Sequence, residues 1–167
     1  MKKLILAVLF LSFIIPVTAQ SRAEKKKIKE EKAVEEYASL KDFVKLNKIA
    51  FEADWATTNT GRRINLVGNS NFLKIDQTEG YIYLPFFGTA HSSSVGFSGN
   101  GGIVFEGELE NYSIKFNDKK KQAIITFRTK NKSESFDFTL TLYGNKSANL
   151  SVSSNSRSNM SYSGTYK

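Results

Sequence analysis

Residues able to do acid-base or nucleophilic chemistry are scarce in this chain of 167 residues, and His91 is its only histidine. A histidine can serve as a general base or a metal ligand, and the serines at 92–94 would offer a nucleophile for a Ser-His-acid triad. No Gly-x-Ser-x-Gly elbow accompanies them, and serines are abundant throughout the chain. We therefore predict no catalytic residue, and His91 is kept as a candidate for contact with a ligand or partner.

A pair of carboxylates is the second possible source of chemistry, because a glycosidase needs two of them on opposite sides of a sugar-sized cleft. Glu106, Glu108 and Glu110 are spaced by two residues, so an extended strand places all three on one face. Such a row of like charges is typical of a solvent-facing strand. With one histidine and no cysteine, the sequence also predicts no zinc site, and no calcium-loop spacing is found. No metal and no cofactor are predicted.

Two adjacent aromatic residues are candidates for binding. Phe86 and Phe87 follow Pro85, and neighbouring side chains of a strand point to opposite sides, so one of the two is predicted to be exposed. An exposed Phe beside the glycine-rich segment 99–102 would line a ligand mouth or a partner surface.

Arg157 is the last candidate, and it precedes the final strand predicted for the chain. Its guanidinium is expected to pair with a carboxylate such as Glu52 or Asp54, or to close one end of the fold. As a contact to a bound anion it would be bidentate and strong.

The elements that position these residues follow an N-terminal leader. Lys2 and Lys3 precede an apolar run at 4–17, and Ala19 fits the signal peptidase. The run is shorter than the roughly 20 residues of a bilayer-spanning helix, and the chain has no cysteine to carry a lipid. Residues 1–19 are therefore predicted to be removed on export. The product is expected to be a soluble periplasmic or secreted protein without a transmembrane segment.

The chain is basic, with a formal net charge of +8. In an exported protein this charge can meet anionic surfaces such as phospholipid head groups, lipopolysaccharide or acidic glycans. The lysines at 25–27 and 119–121 are equally typical of solvated surfaces. Nucleic-acid binding is not predicted, because no RNP-like pattern accompanies the charge and export argues against it.

Hydrophobic periodicity predicts one helix followed by an antiparallel β domain. Residues 20–47 form the charged N-terminal helix, whose apolar positions become dense enough to pack from about Val34. In residues 48–167 the period changes to two, and short polar turns divide them into about nine or ten strands with an apolar side and a hydroxyl-rich side. This mainly β meander is expected to form a barrel or a strongly curved sheet of lipocalin-like shape.

Two local details of the β domain are also predicted. Apolar residues alternate with acidic ones at 49–55, which places Trp55 on the same face as Phe51 and Ala53. Residues 63–67 and 72–76 are predicted to pair with each other across the turn at 68–71.

Three short motifs are LPFFG at 84–88, GIVF at 102–105 and the ending RSNMSYSG at 157–164. Together with the leader and the charged helix, they resemble a family of exported Bacteroidetes proteins known only as a domain of unknown function. The resemblance covers about 33–166 and implies a β-rich fold and an envelope location. It brings no activity and no catalytic residue. Many members resemble lipoproteins with a cysteine after the leader, and this chain departs from them there.

One principal hypothesis of function and two alternatives follow. The protein is expected to be a non-enzymatic binding domain for a small apolar or amphipathic ligand or for an envelope partner. An apolar cavity would favour the ligand, and a filled interior would favour a protein-interaction role. The alternatives are an envelope glycan or lipid hydrolase that uses His91 or a carboxylate pair, and a structural or inhibitory envelope protein.

Overall fold

One helix and ten antiparallel strands make up the computed structural model, which describes residues 22–90, 101–131 and 134–167. The helix α1 spans Arg22–Lys45, and the strands are β1 (Lys48–Thr58), β2 (Arg63–Asn65), β3 (Phe72–Asp76), β4 (Glu79–Leu84), β5 (Ile103–Glu108), β6 (Glu110–Asn117), β7 (Gln122–Asn131), β8 (Glu134–Tyr143), β9 (Ser147–Ser154) and β10 (Met160–Tyr166). The predicted mainly β fold is confirmed. The predicted leader and His91 lie outside the described residues.

The strands of residues 33–167 form one nearly closed, barrel-shaped sheet. Their order is β5-β4-β3-β1-β10-β9-β8-β7-β6, with β2 pairing β1 beside this path. β1 and β10 are neighbours, so the first and last strands of the chain pair along most of their length. β5 and β6 are the two edges of the sheet, although only Leu109 separates them in the chain.

The predicted pairing of residues 63–67 with 72–76 is wrong. β2 and β3 both pair with β1, where Ile64 lies opposite Ala56 and Leu73 lies opposite Phe51. The turn between β2 and β3 therefore connects two strands that pair with different parts of β1. The two strands do not form a hairpin with each other. Turn residues in a sequence identify a change of direction but not the strand that is met afterwards.

A β-bulge in β1 corrects the predicted orientation of Trp55. Ala53 and Trp55 pair with consecutive residues of β10, so Asp54 between them has no counterpart there. The extra residue turns Trp55 to the outer side of the sheet, where it is partly exposed, and turns Ala56 inward. The predicted shared face of Ala53 and Trp55 is wrong, because strict alternation assumes an unbroken strand.

The helix divides into two parts. Residues 22–32 are helical and exposed, and they form ion pairs between residues four apart, such as Lys26–Glu30 at 4.0 Å. In residues 33–167, the helix buries Tyr37, Leu40 and Val44 in the apolar core of the sheet. Val34 is exposed, so packing begins one turn later than predicted. No helix in the described ranges is long and apolar enough to cross a membrane.

Candidate functional site

Arg157 and Glu134 form a nearly buried ion pair at one end of the barrel. The Arg157 Nε donates to Glu134 Oε1 at 2.8 Å, and Nη2 donates to Oε2 at 3.0 Å. The two side chains are only 10% and 12% exposed. The predicted partners Glu52 and Asp54 are therefore wrong. Glu134 was not identified from the sequence, because it lies 23 residues away and only the pairing of β8 with β9 brings it near.

The other groups around Arg157 give it a structural role. Its Nη1 donates to the carbonyl oxygens of Gly101 and Gly102 at 3.0 and 3.3 Å. Its guanidinium carbon lies 5.1 Å from the centre of the Phe86 ring and 5.7 Å from that of Phe136. Because all three of its nitrogens donate to protein oxygens, the guanidinium joins separate segments and has few N–H groups left for a bound anion.

The LPFFG segment and the ending motif bind each other directly. The Tyr162 hydroxyl donates to the carbonyl oxygen of Pro85 at 2.8 Å. The backbone N–H of Thr89 donates to Ser158 Oγ at 2.9 Å, and the Ser158 N–H donates to the Thr89 carbonyl at 2.9 Å. Two of the three motifs that carry the family resemblance thus form one interacting unit.

Phe86 and Phe87 separate as predicted. Phe86 packs against the apolar core and under the Arg157 guanidinium, whereas Phe87 is exposed. The structure therefore brings Phe86 and Arg157 into contact. Phe87 follows Phe86 in the chain and is exposed. His91, the fourth candidate, lies outside the described residues.

The carboxylates at 106, 108 and 110 do not share one strand. Glu106 and Glu108 lie on β5 and are exposed, and Glu110 begins β6 after a buried leucine. The Tyr81 hydroxyl nearby donates to Glu79 at 2.9 Å, and this bond, followed by the carboxylate's charge, raises the pKa of Tyr81. In the described ranges no three histidine, cysteine or acidic residues are placed to hold a metal ion.

Near the helix, a charged cluster connects α1 with the turn between β6 and β7. Lys41 donates to Asp118 at 2.6 Å, and the Tyr37 hydroxyl donates to the same oxygen at 3.1 Å. The Lys41 bond, followed by the Tyr37 bond, lowers the pKa of Asp118, and the bond to Asp118 raises the pKa of Lys41. An open depression of about 350 Å³ lies nearby, lined by Ala33, Glu36, Lys120, Lys121, Tyr143, Gly144, Asn145 and Ser147.

The outer side of the sheet carries a hydroxyl-rich surface that is bordered by charge, because Arg63 of β2 pairs with Thr57 and Lys115 of β6 pairs with Ile124. It consists of two rows in register across β7, β8, β9, β10 and β1. The first row is Thr126, Thr139, Ser151, Ser161 and Thr57, and the second is Ile124, Thr141, Asn149, Ser163 and Trp55. All ten are partly or fully exposed. The sequence indicates a hydroxyl-rich side, but the alignment of residues across strands depends on register.

The fold and these surfaces define a class of mainly β domains in which one helix precedes a nearly closed antiparallel barrel. Residues 31–166 match DUF4251, a domain of unknown function, and the chain belongs to this family. The predicted resemblance to a Bacteroidetes family of unknown function is confirmed.

The chain is also similar to a solved structure of the same family. The crystal structure of a DUF4251 family protein from Bacteroides eggerthii DSM 20697 matches with a TM-score of 0.60 and 21% sequence identity, covering 80% of this chain and 87% of that chain. At this identity the likeness shows the fold. No match was found among the curated proteins.

Proposed function

We propose that this protein is an exported, non-enzymatic binding domain of the bacterial envelope, and that it holds its partner on its outer surface. The leader predicted from residues 1–19 supports export. The single observation that carries surface binding is the packing inside the barrel.

A barrel that encloses a ligand leaves the side chains of its inner wall accessible from the cavity. In this protein the inward leucines of three strands, Leu73, Leu140 and Leu150, are 0% exposed, and the rings of Phe138 and Tyr162 are 1% exposed. These side chains belong to one apolar core cluster and are closed off from solvent. Their packing supports an outside partner over a small apolar ligand held within the strands.

The hydrolase alternative has less support from the same geometry. Glu106 and Glu108 are exposed on one strand, so they do not face each other across a cleft as the two carboxylates of a glycosidase do. His91, the other residue on which this alternative depends, lies outside the described residues.

Two measurements on protein purified from its own host test the proposal. Native mass spectrometry is expected to give the mass of the processed polypeptide alone, and a retained lipid or other small molecule would overturn surface binding. Cosedimentation with isolated envelope is expected to be saturable and to persist at salt concentrations that screen simple charge attraction. Absence of saturable binding would overturn the binding role.

A further inference from the structure

We propose that the first part of helix α1 binds the anionic head groups of a phospholipid bilayer through one basic face. This contact goes beyond the proposed function, because it adds an electrostatic attachment on the helix to the partner held by the outer surface of the barrel. We call the face the basic stripe, and it consists of Arg22, Lys25, Lys26, Lys29 and Lys32.

The spacing of these five cations places them on one side of the helix. Because an α-helix turns by about 100° per residue, they fall within about 120° of its circumference. Glu24 and Glu31 lie on the opposite side, and Glu30 lies beside the arc. Along the helix the arc continues to Ala33 and Glu36, so the stripe belongs wholly to residues 22–32.

The stripe is open to solvent along its whole length. Residues 22–32 are exposed throughout, and the side chains that α1 buries begin only at Tyr37. Because a helix rises by about 1.5 Å per residue, the stripe is about 15 Å long. A straight row of this length can meet a plane of head groups with all of its cations, which a single compact anion cannot do.

The helix itself leaves the centre of the stripe without a counter-charge. Within the part of the chain that the structure describes, Arg22, Lys25 and Lys29 take part in no ion pair. At the edge of the stripe, Lys26 approaches Glu30 only to 4.0 Å, and the two side chains are 77% and 65% exposed. An exposed pair of this kind contributes little to stability.

Like charges are also neighbours along the stripe. Arg22 and Lys26 are four residues apart, as are Lys25 and Lys29, and like charges at this spacing destabilise a helix. An exposed segment has no core contacts to offset that repulsion. A solvated helix avoids it by alternating the two signs on one face. An arrangement that is unfavourable in the free chain and favourable against a negative surface is typical of a binding site.

A bilayer is the negative surface that fits this face. Clusters of about four to eight basic residues on one helix are typical of segments that bind anionic lipids, since each cation near the surface adds to the attraction. The stripe follows closely after the leader predicted at residues 1–19. Export would therefore release it beside a membrane.

Vesicle binding of the processed protein tests this contact. Vesicles of phosphatidylcholine mixed with an equal part of phosphatidylglycerol are expected to sediment the protein, whereas vesicles of phosphatidylcholine alone are not. The binding should weaken as ionic strength rises. Equal binding to both kinds of vesicle, or to neither, would overturn the inference. Binding to soluble heparin that is at least as tight as to the anionic vesicles would overturn the assignment to a bilayer.

A matched pair of variants separates the stripe from net charge. Lys25→Gln combined with Lys29→Gln is expected to weaken binding to the anionic vesicles about tenfold or more. Lys119→Gln combined with Lys120→Gln removes the same charge from an exposed turn and should leave the affinity nearly unchanged. Equal losses in the two double variants would contradict the inference, because net charge alone would then explain the binding.

A charge-shuffled variant tests the face at constant composition. Glu24→Lys, Lys25→Glu, Lys29→Glu and Glu30→Lys together keep the net charge and place two carboxylates on the stripe. Vesicle binding should fall at least as far as in the double glutamine variant, with helix content checked by circular dichroism. Parental affinity in this variant would reject the stripe. Salt-resistant cosedimentation with isolated envelope should persist in every variant, so the proposed function and this contact can fail separately.

Discussion

The side-chain amide of Asn71 bonds to both backbone polar groups of Ala53. Its Oδ1 accepts from the Ala53 N–H at 2.8 Å, and its Nδ2 donates to the Ala53 carbonyl at 3.0 Å. On this side of β1, pairing with β3 ends at Phe51 and pairing with β2 begins at Trp55. Ala53 lies in the gap, and the Asn71 side chain supplies the two hydrogen bonds that a neighbouring strand would otherwise provide. The buried amide thereby holds the bulge that points Trp55 outward.

Replacing Asn71 tests this role. Asn71→Ala leaves the N–H and carbonyl of Ala53 without their partner in a buried place, and we expect the free energy of unfolding to fall by about 2–4 kcal/mol. Urea unfolding followed by circular dichroism measures the change. Asn69→Ala, at an exposed position of the preceding turn, should have little effect. A loss of similar size in both variants would show that the turn, and not the amide, sets the stability.

Removal of one partner of the Arg157–Glu134 ion pair should strongly destabilise the fold. Arg157→Gln leaves a carboxylate in a nearly buried site and is expected to lower the free energy of unfolding by about 3 kcal/mol or more. Guanidinium unfolding at constant ionic strength gives the change. Replacement of both residues, Arg157→Met with Glu134→Leu, should recover part of the loss, because no unpaired charge then remains.

The chain supplies its own control for this pair. Arg128 and Asp137 have the same two-bond geometry, at 2.8 and 3.1 Å, but their side chains are 45% and 55% exposed. Arg128→Gln should therefore change stability far less than Arg157→Gln, since water replaces the lost bonds. Equal effects would mean that burial does not determine the strength of the Arg157 pair.

The predictions from sequence succeed where one strand or one motif contains the needed information. Alternation alone predicts the mainly β fold, and adjacency alone predicts that Phe86 and Phe87 face different ways. They fail where a second segment decides the result. Alternation places Trp55 on the wrong side because the bulge depends on Asn71, and the sequence does not indicate Glu134 because its proximity to Arg157 depends on sheet order.

Gly164 illustrates the same dependence on a distant segment. It pairs with Ala53, and a Cβ on it would overlap the carbonyl oxygen of Glu52. The glycine of the ending motif is therefore required by the close approach of β10 to the bulge. Its spacing in the sequence gives no sign of this contact.

Thr129 offers a route to greater stability. Its hydroxyl is fully buried on β7 and has no hydrogen-bond partner in the described part of the chain. Thr129→Val keeps the shape and removes the unsatisfied group, so we expect the unfolding free energy to rise by about 1 kcal/mol. Thr139→Val, on the exposed side of β8, should give no such gain. A lower melting temperature for Thr129→Val would show that the hydroxyl is satisfied in solution.

Alkaline pH should destabilise the protein through its buried tyrosines. Burial, with a contribution from the charge of Glu36, raises the pKa of Tyr166 from 10.0 to about 12, and burial also raises the pKa of Tyr162. Above pH 10 the unfolded chain loses these protons before the folded one does, so stability falls as pH rises from about 10 toward 12. Unfolding free energies measured across this interval give the slope.

The Tyr166→Phe variant isolates one phenol. It removes the bond that the hydroxyl donates to the Tyr143 carbonyl at 2.7 Å, so it should be less stable than the parent at neutral pH. Its stability should also decline less steeply above pH 10, since one ionising group is gone. An unchanged slope would assign the alkaline effect to other residues.

The pairing of β1 with β10 makes the order of synthesis matter. The strand made first among the ten must wait for the strand made last before its edge is covered. In the export that we propose, a chain that passes through a membrane pore from its N-terminus keeps one edge of β1 unpaired until translocation is nearly finished. The native sheet is therefore completed only when β10 is available, and a chain that stops short of β10 leaves one side of β1 unpaired.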